Sequence, residues 1–227
     1  MSHIWHDLGH AFTHADKGFF YTIRQMTLNP GRVTREYIAG RRKKYFNPFS
    51  FLVIIIGIQI ITNAVFMPYD QDFGQRGTCS ANMPKKYAAM MERGRKYTEF
   101  INKRANIVVM ISTPFLALVL WLLFKRKNLY YAEHLTAIAF VNGYLQLLTI
   151  VVFSPLLYLT KNTGPAQIVY YSMLLTHVLY LGWTYHGFLA YTTRAAYWKT
   201  MGAALLTIVL WGAFSMTIGM LYIRYGP

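Results

Sequence analysis

The chain has 227 residues, of which 55% are hydrophobic and 17% aromatic while only 14% are charged; this balance excludes an ordinary soluble domain and makes lipid the expected solvent. Its 23 Lys and Arg against 8 Asp and Glu give a net charge of +15, but the cations sit between apolar runs, which points to anionic lipid headgroups and away from nucleic acid. Cys79 is the single cysteine, so neither an internal disulfide nor a thiolate-rich metal site is available.

Residues 1–45 lack the apolar core of a secretory signal and are patterned instead as an amphipathic helical arm. Trp5, Leu8, Phe12, Ala15, Phe19, Ile23 and Met26 recur at steps of three and four, which makes one apolar stripe of a helix. The other side carries His3, His6, Asp7, His10, His14, Lys17 and Arg24. A helix divided in this way lies in the membrane interface with its apolar face down, or packs on the cytoplasmic face of a bundle. His6, His10 and His14 are four apart, the spacing at which imidazoles on one face share a metal, with His3, Asp7 or Asp16 as a further ligand. The plainer reading, histidines on the polar side of an interfacial helix, is favoured, and no cofactor is expected. Asn29-Pro30-Gly31 breaks the arm, since proline disfavours helical geometry before it and glycine tolerates positive φ. A second short helix from Arg32 leads into Arg41-Arg42-Lys43-Lys44, four charges placed to meet lipid headgroups and anchor the topology.

Five apolar stretches, 46–66, 106–124, 134–159, 167–191 and 200–222, are each long enough to cross a hydrocarbon core of about 30 Å. They are continuous runs without dyad alternation, so a β-barrel is excluded. The predicted fold is all-α: a polytopic membrane bundle of five transmembrane helices, 46–227, behind the interfacial arm, 1–45. Pro48 opens the first span at a position that tolerates proline, whereas Pro114 and Pro155 fall inside spans and predict kinks. The loop 67–105 begins turn-rich and reads helical from 84 to 103. Eight basic residues before the first span, Lys125-Arg126-Lys127, Arg194 and Lys199 on one side face Lys161 and Arg224 on the other. That asymmetry places the N-terminus in the cytoplasm and the C-terminus outside. The loop 67–105, with eight basic residues of its own, runs against the rule, and a re-entrant first segment would return it to the cytoplasm while exporting Lys125-Arg126-Lys127.

Several runs share a further property: Thr22-Ile23-Arg24, Pro30-Gly31-Arg32, Arg35-Glu36-Tyr37-Ile38-Ala39-Gly40-Arg41-Arg42, Tyr45, Asn47-Pro48-Phe49-Ser50-Phe51-Leu52 and Tyr130-Tyr131-Ala132-Glu133-His134-Leu135. Together they resemble an uncharacterised family of bacterial multi-pass inner-membrane proteins, common in Bacteroidota and known only as a domain of unknown function. The resemblance implies membrane location and topology and brings no established activity or site residues. Many members of that family carry a cysteine-rich, zinc-ribbon-like head before the Thr-x-Arg segment, where this chain has a histidine-bearing helix.

Ionisable groups inside spans are costly and usually functional. Glu133 and His134 at the start of the third span and His186 near the end of the fourth are expected at similar depth. They form either a proton-responsive or anion-binding pocket or a structural network at helix ends. His177 lies near mid-membrane, with Asn142 and Gln146 one turn apart on the preceding span, and such groups commonly join helices. Paired carboxylates, a phosphate-binding glycine loop, an HExxH helix and a nucleophile elbow are absent, so no enzymatic activity is indicated. The expected function is that of a non-enzymatic inner-membrane scaffold or accessory subunit, with lipids and a protein partner or second copy as ligands. The alternative is a small transporter or lipid-handling protein with a path between the third and fourth spans.

Overall fold

The computed structural model describes residues 18–66, 90–97, 104–160 and 166–225, and among these every regular element is helical. In chain order they are α1 (18–28), α2 (Pro30–Ile38), a 3₁₀ turn (Arg42–Lys44), α3 (Pro48–Phe66), α4 (90–97), α5 (Ala105–Leu123), α6 (Tyr131–Leu148), α7 (Ser154–Leu159), α8 (Ala166–Phe188) and α9 (Arg194–Tyr225). Local chemistry sets the boundaries. Pro30 occupies the first position of α2, and Gly40 at φ 92° turns the chain out of it. Asn47 caps α3 by accepting from the Phe49 and Ser50 amides at 3.0 and 3.3 Å, with Pro48 next. Glu133 opens α6 by accepting from the Tyr130 amide at 2.8 Å.

Three helical stretches, Arg42–Thr62, Tyr131–Leu159 and Arg194–Tyr225, are long and apolar enough to cross a membrane. α5 contributes a shorter apolar stretch, Ile107–Leu123. Between α6 and α7 the chain widens into a π-helical segment, Thr149–Phe153, immediately ahead of Pro155. Proline cannot donate to the carbonyl one turn back, and the wider turn accommodates the misfit. The kink expected at Pro155 therefore takes the form of a π-segment within one continuous helix.

α3 and α6 run side by side but out of step. Gly143, the thirteenth residue of α6, faces Phe51, the fourth of α3; a Cβ on Gly143 would lie 2.6 Å from a Phe51 ring carbon. Nine residues of stagger at helical rise offset the two starts by roughly 14 Å. The arm formed by α1 and α2 fills that offset. Val33, Met26 and Thr22 are wholly buried, and α2 packs against both α6 and α8. The apolar stripe foreseen in the arm thus packs, over its described part, against protein: Phe19 meets Phe46 and Phe51, and Ile23 and Met26 join the core. Its earlier members, Trp5, Leu8, Phe12 and Ala15, lie outside the described residues, as does Cys79. α9 lies at the opposite extreme, packing on α8 and α5 along one side and exposing most of its length.

Candidate functional site

The site is the seat of the N-terminal arm. It is built around Glu36, whose carboxylate accepts from Arg32 Nε at 2.8 Å and from the Tyr45 hydroxyl at 2.9 Å, with Arg41 at 3.5 Å. Arg32 and Glu36 are one helical turn apart, so their pairing is local. Arg41 and Tyr45 come from beyond α2, so they fold the segment leading to α3 back onto it. The Arg32 hydrogen bond, followed by that from Tyr45, holds the Glu36 carboxyl below the usual carboxylate value. Arg42 lies over the Tyr37 ring at 5.7 Å, and Tyr37 packs edge-on against Phe140 of α6 at 5.3 Å. All four cations expected at headgroups are exposed, and Arg41 and Arg42 also have protein partners, Glu36 and Tyr37.

Three longer ties seat the arm. The Thr22 hydroxyl accepts from the Phe46 amide at 2.8 Å, so the start of α1 meets the start of α3. Tyr180 on α8 donates to the Met26 carbonyl at 2.9 Å, and Tyr144 on α6 donates to the Thr27 hydroxyl at 2.9 Å. The rings of Tyr144 and Tyr180 stack at 4.8 Å. At the crossing of α2 and α8, Gly31 and Gly187 bring backbone against backbone. A Cβ on Gly31 would lie 2.5 Å from the Gly187 Cα and 2.6 Å from the Phe188 nitrogen.

Beside that crossing lies an aromatic nest. His134, wholly buried, places Nδ1 3.2 Å from the Tyr185 hydroxyl. Its ring stacks on Tyr185 at 5.8 Å and meets Phe188 edge-on, and Phe124 also stacks on Tyr185, at 5.9 Å. His134 Nε2 is buried with no hydrogen-bond partner among the described residues. The three groups expected to share a depth are thus held by separate neighbours: Glu133 caps α6, His134 joins Tyr185, and His186 packs against Tyr197 at 5.5 Å and Tyr191 at 6.3 Å. Asn142 donates to Thr113 of α5 at 2.8 Å, so its partner is on α5 and not α8. His177 Nδ1 bonds within its own helix to the Met173 carbonyl at 2.8 Å, and Gln146 is half-buried on α6. His6, His10 and His14 lie outside the described residues; among those described, no three His, Cys, Asp or Glu side chains gather as a metal would need.

In the sequence Thr22, Glu36 and Tyr45 stand only as members of the familiar pattern, Gly31 as part of the break after the first helix, and His134 as a member of a cluster with Glu133 and His186; none of these readings gives the partner found in the fold. The Arg32–Glu36 spacing was a readable signal. Gly187, Tyr144, Tyr180, Tyr185 and Thr113 carried none, because each is defined by a partner on a different helix.

Fold and site together define a class: an all-helical protein with three helices long and apolar enough to cross a membrane, into whose bundle a polar helical arm is set. Residues 16–60 match the model of a family described as "Protein of unknown function (DUF3667)", a result that fits the resemblance to an uncharacterised family. The matched stretch takes in α1, α2 and most of α3, the segment that carries Thr22, Gly31, Glu36 and Tyr45. Neither the curated proteins nor the solved structures contain a match to this chain.

Proposed function

We propose that the protein is a non-enzymatic, five-span protein of the bacterial inner membrane, N-terminus in the cytoplasm and C-terminus outside, serving as a scaffold or accessory subunit of a membrane complex. One observation carries this reading: the bundle's polar groups are turned toward one another. Asn142 with Thr113, Tyr180 with the Met26 carbonyl, Tyr144 with Thr27 and His134 with Tyr185 each tie one helix to another. Such bonds join helices where lipid supplies no hydrophobic drive; chemistry or transport needs groups free to meet a ligand. The seam between α6 and α8, where a transport path would run, is bridged at one level by the Tyr144–Tyr180 stack, which favours the scaffold reading. Five spans are supported by length, since the 19 residues of α5 and 23 of α8 give roughly 28 and 34 Å at helical rise, against a core of about 30 Å. The apolar side of α9, with Val209 and Met216 more than half exposed, is the surface offered to a partner helix.

Photo-crosslinking residues placed singly at Val209 and Met216 in the full chain, in native membranes, are expected to give a discrete protein adduct. Adducts with lipid alone at both positions, together with solute flux through vesicles holding the purified protein, would replace this reading with the transporter. In a Cys79→Ser background, cysteines at Asn162 and Pro227 are expected to label from outside and one at Thr13 only after permeabilisation. Labelling of Thr13 in intact cells breaks the five-span orientation.

A further inference from the structure

We propose that the end of the bundle where α5 gives way to α6 and α9 begins holds a binding site for the phosphate of an anionic phospholipid. This rests on the reading above that α5 and α9 cross the membrane. Leu122, Leu123, Lys125, Arg126 and Lys199 line one recess there, of about 390 Å³, within the range of small-ligand clefts, roughly 300–1,000 Å³. Its wall is divided in the way a phospholipid is divided. Leu122 and Leu123, both substantially exposed, are the last residues of an apolar helix; Lys125 and Arg126 follow where that helix ends, and Lys199 lines the same recess from α9.

Among the described residues the charge at this corner is uncompensated. Among the described residues the carboxylates are engaged elsewhere: Glu36 by Arg32 and Arg41, Glu92 by Lys96, and Glu133 by the Tyr130 amide. Lys125, Arg126 and Lys199 enter no ion pair among the described residues, and the neighbouring turns add Lys127, held 4.3 Å over the Tyr191 ring, and Arg194. Cations brought together on a folded surface repel one another and raise the affinity for an anion that sits between them. Aromatic rings mark the level of the site. Lys125 lies 5.8 Å from the Trp121 ring, and Trp198, adjacent to Lys199, is 74% exposed; tryptophan concentrates at headgroup depth. A phosphate bonded by Lys125, Arg126 and Lys199 leaves its acyl chains beside Leu122 and Leu123, where apolar surface is already exposed. A free phosphate would meet the cations and leave the leucines unused, which favours the lipid.

The test uses the full chain purified in a neutral detergent, with its thermal midpoint followed as dioleoyl phosphatidylglycerol, dioleoyl phosphatidylcholine or inorganic phosphate is added. Phosphatidylglycerol is expected to stabilise at a lower concentration than phosphatidylcholine, with inorganic phosphate inert. Each cation near an anionic headgroup strengthens binding roughly fivefold. Lys125→Gln, Arg126→Gln and Lys199→Gln together should therefore abolish the preference for phosphatidylglycerol, while the charge-matched Arg24→Gln, Arg35→Gln, Arg95→Gln variant, at exposed cations elsewhere, retains it. Three results overturn the site: an undiminished preference in the first variant, an equal loss in both, or stabilisation by inorganic phosphate equal to that by the lipid. Retention of the protein in carbonate-washed membranes is measured before solubilisation. Its loss would sink the membrane reading itself, and retention with no lipid preference sinks only this site.

Discussion

α2 and α9 invert the usual relation between polarity and burial. α2 is nine residues long with a Glu and two Arg, yet it is wedged between α6 and α8 with Pro30, Gly31, Val33 and Thr34 buried. α9 is 32 residues long and largely apolar, yet only Thr200, Met201, Ala204, Thr207 and Gly219 are buried. The difference follows from the solvent. Lipid tails are as apolar as leucine, so a membrane helix gains nothing by hiding its large side chains and packs through small or hydroxylated ones. A polar helix in the same setting must place its charges on partners, and α2 does so through Glu36, Arg32, Arg41 and Tyr45.

The strongest way to break this comparison is to add one methyl to each helix. On Gly31 a Cβ meets the backbone of Gly187 and Phe188, which cannot rotate away. Gly31→Ala should lower stability by about 3 kcal/mol, at the upper end of overpacking costs, measured by thermal or denaturant unfolding of the solubilised chain. Gly187→Ala should cost less, since its nearest neighbour lies at 3.1 Å. Gly202→Ala on α9 meets nothing within 4 Å and should be neutral or slightly stabilising, because alanine is the better helix former. Equal costs for Gly31→Ala and Gly202→Ala would mean that α2 is not seated at the α8 crossing.

A smaller effect is expected from the tyrosines that hold the arm. Tyr180→Phe and Tyr144→Phe each remove a hydrogen bond to the end of α1 and should cost about 1 kcal/mol. Their rings stack and their partners are adjacent residues, so the double variant should depart from additivity by about 0.5 kcal/mol or more. By contrast Glu133→Gln and His186→Phe, which have separate neighbours, should add to within about 0.5 kcal/mol. Coupling between them would show that the pocket suggested by their depth exists.

Glu36 sharpens the comparison through pH. Its carboxyl is depressed in the folded arm by Arg32 and then Tyr45, so the unfolded chain binds the proton more readily. The stability this contributes is complete above the usual carboxylate value of 4.5 and is lost as pH falls from there through the lower folded value. Thermal midpoints taken in acid should fall more steeply for the parent than for Glu36→Gln; parallel curves would mean that the ion pairs do not stabilise the arm. Least of all should be felt at Trp198, 74% exposed at the start of α9: Trp198→Ala should change stability in detergent by less than about 0.5 kcal/mol.

Chain-local chemistry was legible. Long apolar runs announced the helices; Asn47-Pro48 announced where α3 begins, Asn29-Pro30 where the arm breaks, and Pro155 where α6 could not continue unaltered. Each of these needs only neighbours within a turn or two. The depth of the arm and the content of its seat were not legible, because they depend on partners far along the chain. His134 meets Tyr185 51 residues on, Tyr144 meets Thr27 across 117, and Tyr180 meets Met26 across 154. The stripe of Phe19, Ile23 and Met26 fits a lipid surface and a protein groove equally well, since periodicity reports that one face is apolar and not what covers it. The sequence by itself determined the helices and those ends that Asn and Pro mark; only the tertiary structure decided that α9 begins at Arg194, with Lys199 inside it, and which apolar faces meet protein, because a side chain's own hydrophobicity does not distinguish a helix from a lipid tail.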